Sequence, residues 1–145
     1  MFRKILFPLD VQEPEFARAA FAEALRLAEV EGAELHLLTV IPGYGLPMVA
    51  DFFPDDAGPR ARSECERLAA KFVADNAAGK TVTITVAEGR PYEEIVGHAE
   101  KINADLILMP SHNRQGLHGV LLGSCADNVS RHASCSVLVV RGGGK

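Results

Sequence analysis

The sequence predicts a doubly wound α/β domain, in which helices cover both faces of a parallel β-sheet. Short apolar runs rich in Val, Ile and Leu alternate along the chain with longer segments whose apolar residues recur every three or four positions. This alternation is typical of parallel strands joined by right-handed helical crossovers. The length of 145 residues fits one domain with a single hydrophobic core. We therefore expect residues 1–145 to form one domain.

The N-terminal half is predicted to contain three strands and two helices. Pro14 suits the start of the first helix, because proline lacks the N–H that would have no partner there. Gly32 is expected to cap the end of this helix. Thr alternating with Val and Ile in the third strand indicates a sheet edge with one more exposed face. The Gly- and Pro-rich segment Pro42–Pro59 is too long for an ordinary connection, so we expect a flap or a partner-facing loop. In chain order the elements are a strand at Lys4–Leu9, a helix at Pro14–Glu31, a strand at Leu35–Ile41, a helix at Arg60–Ala77 and a strand at Thr81–Val86.

The C-terminal half is predicted to contain two helices and two strands in alternation. Asn103 is expected to end the first of these helices in a left-handed conformation. The last strand has the sequence SVLVV, which would expose unpaired backbone groups at a sheet edge. We therefore expect this strand to form a homodimer interface. In chain order the elements are a helix at Gly89–Ile102, a strand at Asp105–Met109, a helix at Gly123–His132 and a strand at Ser136–Val140.

Composition excludes several classes of partner. The formal net charge is −4 and the 15 Lys and Arg residues are scattered, which argues against nucleic acid. No apolar run approaches the ~20 residues of a membrane span, and the N-terminus lacks the features of a secretory signal. The three cysteines show no metal-ligand spacing, so we assign no metal site. A cytoplasmic protein is expected, with no nucleic-acid or membrane partner.

The expected ligand site lies at the loops that follow the first and fourth strands. In an open doubly wound sheet, ligands bind beyond the carboxyl ends of the strands, where the winding direction reverses. The loop after the first strand lacks the Ser, Thr and Gly of a flavin phosphate loop. It offers Asp10 alone where a receiver domain needs an acidic pair. Neither of the glycine-rich motifs GxxxxGK and GxGxxG is present.

Two features remain at these loops, and together they suggest a nucleotide. The helix that starts at Gly123-Ser124 would present unpaired N–H groups to phosphates. The Asp10 carboxylate can accept hydrogen bonds from ribose hydroxyls or an exocyclic amine. The alternative for Asp10 is to cap the turn or the helix that follows it. For Ser124, helix capping or phosphate contact is favoured over a nucleophile activated by His112, since no orienting acid is visible.

At these residues the chain resembles the universal stress proteins. Nucleotide-binding members carry the motif G-2x-G-9x-G-S/T after the fourth strand, and the matching positions here are Pro110, Asn113, Gly123 and Ser124. The spacing is kept while the first two glycines are replaced. The resemblance extends along KILFPLD, LHLLTVIP, GRPYEEIVGHAEKINADLILMPSH and LLGSCADNVSRHASCSVLVVR, and it looks most like the F-type branch of enteric bacteria.

The resemblance implies a strand order of 3-2-1-4-5, a homodimer, and binding of ATP, ADP or AMP, with any Mg²⁺ carried by the nucleotide. The nucleoside pocket would include Val40 through its backbone, and Arg114 could supply a charge near the phosphates. The loss of two glycines matters because glycine lets backbone approach phosphate closely, and Pro110 also lacks a donor. By resemblance, the remaining site residues are Pro8, Leu9, Asp10, Met109, Pro110, Ser111, His112, Asn113, Gly123, Ser124 and Cys125.

The predicted function is a nucleotide-binding stress-response and signalling module. Hydrolysis would at most be slow, because no water-activating base and no set of Mg²⁺ ligands is visible. Two alternatives stay open. One is an interaction protein whose nucleotide pocket has decayed, and the other is a weak ATP hydrolase.

Overall fold

Five parallel strands form the sheet at the centre of the computed structural model, which describes residues 1–42, 57–111 and 123–141. In chain order the strands are β1 (Lys4–Pro8), β2 (Glu34–Pro42), β3 (Thr83–Gly89), β4 (Leu106–Pro110) and β5 (Ser136–Val140). Their spatial order is β3-β2-β1-β4-β5, and every neighbouring pair is parallel. The predicted doubly wound class and the strand order 3-2-1-4-5 are confirmed.

The described part of the chain contains four α-helices, and two of the predicted helix ends are confirmed. Gly32 and Asn103 close their helices in the left-handed region, with φ of 67° and 57°. Each lets the last turn bond back to carbonyls of the helix. The helices are α1 (Arg18–Glu31), α2 (Ala57–Asn76), α3 (Pro91–Ile102) and α4 (Ser124–His132).

Most predicted boundaries lie within two residues of the observed ones, and three elements differ by more. Pro14 begins a 3-10 turn, Pro14–Phe16, and the α-helix follows it. The helix predicted to start at Arg60 starts at Ala57, because its first turn accommodates Pro59, whose missing N–H needs no partner there. The third strand lies later than predicted because it pairs with β2 as far as Gly89, a pairing that local propensity does not reveal. Most of the predicted flap, residues 43–56, lies outside the described residues.

Apolar residues pack on both faces of the sheet, as the doubly wound class requires. On one face Phe7 of β1, Phe21 of α1 and Phe72 of α2 make edge-to-face contacts, with centroids 5.1 Å and 5.0 Å apart. On the other face α3 and α4 cover the sheet, and the fully buried Ile107 and Val129 belong to that cluster. Sequence reasoning expected one core, and the sheet divides it into two layers.

The sheet edges are formed by β3 and β5, as predicted. Leu138 of β5 is aligned with the buried Leu108 of β4, yet Leu138 is 40% exposed. No helix among residues 1–42, 57–111 and 123–141 is long and apolar enough to cross a bilayer.

Candidate functional site

A cavity of about 700 Å³ opens at the carboxyl edge of the sheet, where the chain leaves β1 and β4. Helices α1 and α2 cover one face of the sheet and α3 and α4 cover the other, so this is the point where the winding reverses. Its volume lies within the range of small-molecule sites. The predicted site residues that line it are Pro8, Leu9, Asp10, Val40, Met109, Pro110, Gly123, Ser124 and Cys125.

The exit of β1 holds Asp10 at the mouth of the cavity. The N–H of Leu9 donates to the carbonyl of Leu38 at 2.8 Å, which fixes the chain just before Asp10. The Asp10 carboxylate accepts the N–H of Gln12 at 2.9 Å, so it does cap the turn, as the alternative reading proposed. A carboxylate has acceptor sites for several donors, and the turn contact is compatible with a ligand contact.

The exit of β4 is formed by Met109 and Pro110. Met109 is buried, and Pro110 is the last residue of the strand, aligned with Val140 of β5. Ser111 donates its N–H to the carbonyl of Val140 at 2.9 Å and is not among the lining residues. The predicted site residues His112, Asn113 and Arg114 lie outside the described residues.

The start of α4 forms another part of the cavity wall. Gly123 is the N-cap, with extended backbone angles of φ −60° and ψ 151°, and no side chain caps this end. The N–H of Asp127 donates to the Gly123 carbonyl at 3.0 Å, whereas the N–H groups before it have no acceptor inside the helix. Ser124 is the first helical residue and is exposed, so the predicted capping role belongs to Gly123.

Two thiols face the cavity, Cys125 from α4 and Cys65 from α2. Burial, followed by the nearby Asp10 carboxylate, raises the pKa of Cys125 above that of a free thiol. Burial also raises the pKa of Cys65, and the carboxylates of Glu64 and Asp10 add to the effect. Both shifts disfavour the thiolate form, so neither thiol is activated as a nucleophile.

Sequence reasoning missed the residues that helices and a buried strand bring to the cavity. Thr39, buried in β2, was visible as a polar residue inside an apolar run. Cys65 and Ile95 carried no such signal, because only the packing of α2 and α3 places them there. The missed lining residues are Val11, Gln12, Glu13, Phe16, Ala17, Leu38, Thr39, Cys65, Pro91, Ile95 and Ala126.

The described lining is apolar with an acidic component. Asp10 and Glu13 are its ionisable carboxylates, and no Lys or Arg of the described ranges is part of it. A more open depression along α2, beside Pro59, Arg60 and Ser63, is away from the strand ends. The strand-end cavity is thus the enclosed candidate site.

The amino-acid sequence is similar to those of known proteins. The sequence profile of the universal stress protein family matches residues 1–141. Universal stress protein MJ0531 of Methanocaldococcus jannaschii is 31% identical, with 97% of this chain and 83% of that protein covered. Universal stress protein G of Escherichia coli O157:H7 is 32% identical, with 97% and 100% covered. Proteins of enteric bacteria are therefore among the relatives, while assignment of this chain to the F-type branch stays a prediction.

Solved structures share the fold over nearly the whole chain. Hypothetical protein MJ0577, whose biochemical function was assigned from its structure, superposes with a TM-score of 0.78 at 28% identity and covers 100% of this chain and 99% of its own. A universal stress protein in complex with cAMP has a TM-score of 0.69 at 21% identity, with 96% and 97% covered. One from Archaeoglobus fulgidus in complex with dAMP has 0.65 at 17%, with 94% and 96% covered. With the family profile spanning the chain, this protein belongs to the universal stress protein family.

Proposed function

We propose that the chain binds an adenine nucleotide in the strand-end cavity and acts as a stress-response signalling module in the cytoplasm. One observation carries the proposal: a single cavity joins the carboxylate of Asp10 to the N-terminus of α4. A nucleotide needs both kinds of partner, an acceptor for its ribose hydroxyls and donors for its phosphate. The complexes of fold relatives with cAMP and dAMP support this ligand class.

The apolar wall of the cavity would hold the adenine base of the nucleotide. Leu9, Val40 and Met109 line the same cavity as the two polar groups, and Leu9 and Met109 are buried. An aromatic base placed against them would lose water contact on its faces while its edge reaches the backbone of β2. Small-molecule sites combine such apolar walls with a few polar groups that fix orientation.

Binding, and not efficient hydrolysis, is the proposed activity. Phosphoryl transfer needs bound Mg²⁺ and a residue that positions the attacking water. The carboxylates of the described lining are Asp10, which already holds a turn, and Glu13 beside it. Any Mg²⁺ would accompany the nucleotide phosphates.

Isothermal titration with ATP, ADP and AMP tests the proposal. The titrations compare the unmodified chain with a variant that carries an added negative charge at the start of α4. Ser124→Glu places a carboxylate where phosphate would bind, and an acid in the first turn does not oppose helix formation. We expect binding to weaken by at least about tenfold through repulsion. Ser130→Glu is the matched control, because Ser130 is also exposed on α4 but lies outside the cavity lining.

The control should bind as the unmodified chain does. If the Ser124→Glu and Ser130→Glu variants bind nucleotide with equal affinity, phosphate does not bind at the start of α4. No heat with any nucleotide would favour an interaction protein with a decayed pocket. Phosphate release that Asp10→Asn abolishes would favour the weak hydrolase.

We also propose a homodimer through β5. Its outer edge has no neighbouring strand among the described elements, and the exposed Leu138 adds apolar surface there. Edge strands with such surfaces are suited to pairing with a second copy.

A further inference from the structure

The strand-end cavity reaches both faces of the sheet. Leu9, Val11 and Ala17 line it and belong to the apolar cluster that packs under α1 and α2. Met109 and Ala126 also line it and belong to the cluster under α3 and α4, the face that α4 covers. We call the part lined by Leu9, Val11 and Ala17 the α1/α2 compartment. The proposed phosphate contact at the start of α4 leaves this compartment for another part of the ligand.

The side chain of Thr39 points into the α1/α2 compartment. Successive residues of a strand face opposite sides of the sheet. In β2, Leu37 packs in the cluster under α1 and α2, whereas Leu38 packs in the cluster under α3 and α4. Thr39 therefore faces α1 and α2. It lines the cavity and is only 2% exposed, so a polar group is buried in a largely apolar part of the lining.

Thr39 lies beside the end of β1. The two strands are aligned at Pro8↔Leu38, and the N–H of Leu9 continues their pairing by donating to the carbonyl of Leu38 at 2.8 Å. The next neighbours in this parallel register are Leu9 and Thr39, about 4.8 Å apart across the two strands. Asp10 follows Leu9 directly in the sequence. Thr39 is thus one step along the register from the proposed acceptor of the ribose.

The hydroxyl of Thr39 is open to the cavity. No hydrogen bond joins it to another group within residues 1–42, 57–111 and 123–141. Among the side-chain polar atoms of those residues that are fully shielded from solvent, Nε2 of His98 is the one without a partner. The Thr39 hydroxyl is therefore not sealed inside the core. Because buried polar groups are nearly always hydrogen-bonded, this group is suited to bond a ligand in the cavity.

An apolar compartment with one hydroxyl suits the base of a nucleotide. Leu9, Val11 and Ala17 offer apolar surface to the faces of a planar ring. A threonine hydroxyl can both donate and accept a hydrogen bond, so it can meet a ring nitrogen or the exocyclic amine at the edge of adenine. A phosphate or a ribose would leave the apolar surface of this compartment without a matching group.

We propose that Thr39 is a specificity-determining residue, whose hydroxyl bonds the polar edge of the base in the α1/α2 compartment. This inference rests on the proposed function and adds a side-chain contact for the base. The ribose then lies over the end of β1 at Asp10, and the phosphate lies at the start of α4 on the other face of the sheet.

Titration calorimetry of the full chain with AMP tests the inference through two substitutions of one residue. Thr39→Val keeps the shape of the side chain and removes the hydroxyl, and valine suits a buried strand. Thr39→Ser keeps the hydroxyl and removes the methyl group. We expect the valine variant to bind AMP about fivefold more weakly and the serine variant to stay within about twofold of the unmodified chain. A residue that only fills space would give the opposite order, because serine leaves a void.

Thr85→Val is the matched control. Thr85 is half-buried in β3 and aligned with Leu38, but it does not line the cavity. The control should bind AMP as the unmodified chain does. If Thr39→Val binds AMP as tightly as the unmodified chain, or if the serine variant loses more affinity than the valine variant, the role of the hydroxyl is overturned while the proposed function stands. An absence of AMP, ADP and ATP binding by the unmodified chain would overturn both.

Discussion

At the scale of single residues, His98 has a buried imidazole nitrogen that makes no hydrogen bond to the described residues. Its Nε2 is buried and finds no hydrogen-bond partner among the described residues. Burial lowers the pKa of His98, and the neighbouring charges of Lys101 and His36 lower it further. The folded state therefore favours the neutral ring, while the unfolded chain takes up a proton at the ordinary pKa of about 6.5.

This difference predicts a loss of stability in acid. As the pH falls through about 6.5, the unfolded state binds more protons than the folded state, so the free energy of unfolding decreases. His98→Leu removes this proton difference, and its stability should fall less between about pH 7 and about pH 5. Urea unfolding at several pH values measures the slope.

His132→Gln serves as the comparison for that experiment. His132 is exposed on α4, with Nδ1 2.9 Å from the carbonyl oxygen of Asn128. Its variant keeps the buried imidazole of His98, so its stability should still fall in acid. If the His98→Leu and unmodified proteins lose equal stability in acid, the assignment of the effect to His98 is wrong.

At the scale of elements, the edge strand β5 carries the proposed dimer. Leu138→Lys adds a charge to the exposed part of this edge, and a buried unpaired charge in an interface is costly. We expect light scattering to find dimers of the unmodified chain at micromolar concentration and monomers of the variant. Val30→Lys, at a residue 68% exposed on α1, should stay dimeric. A monomeric unmodified chain would refute the interface.

The sequence predicts elements better than it predicts where they meet. Helical spacing and the stop residues Gly32 and Asn103 locate helices because those signals are local. The displacement of β3 depends on its pairing with β2, whereas the early start of α2 depends on Pro59, which the first turn of a helix tolerates. The site follows the same rule, since Asp10 and Gly123 were readable from topology, whereas Cys65 reached the cavity only through the packing of α2.

The missing backbone donor at Pro110 was partly visible in the sequence. Pro110 stood out as a replaced glycine, and its missing N–H was evident from its type alone. The direction of that nitrogen was not, because it depends on the bond between Ser111 and Val140. The structure therefore shows that the nitrogen of Pro110 faces β1, where a residue other than proline would present an N–H.

At the scale of the whole molecule, the fold creates the cavity by reversing its winding between β1 and β4. The two apolar layers hold the central strands in place, and Pro8 and Pro110 end their pairing at the carboxyl edge. The result is a site that combines apolar walls with acidic side chains and a helix start. This arrangement supports a small ligand with one polar and one anionic end.

Mass spectrometry of nucleotide released from the purified protein tests the central claim most directly. Protein isolated without added nucleotide, then denatured, should release an adenine nucleotide in an amount that approaches one per chain. The Ser124→Glu variant, purified in parallel, should release far less because its carboxylate repels phosphate. Equal and negligible release from both proteins, together with no heat on titration, would contradict nucleotide binding at this cavity.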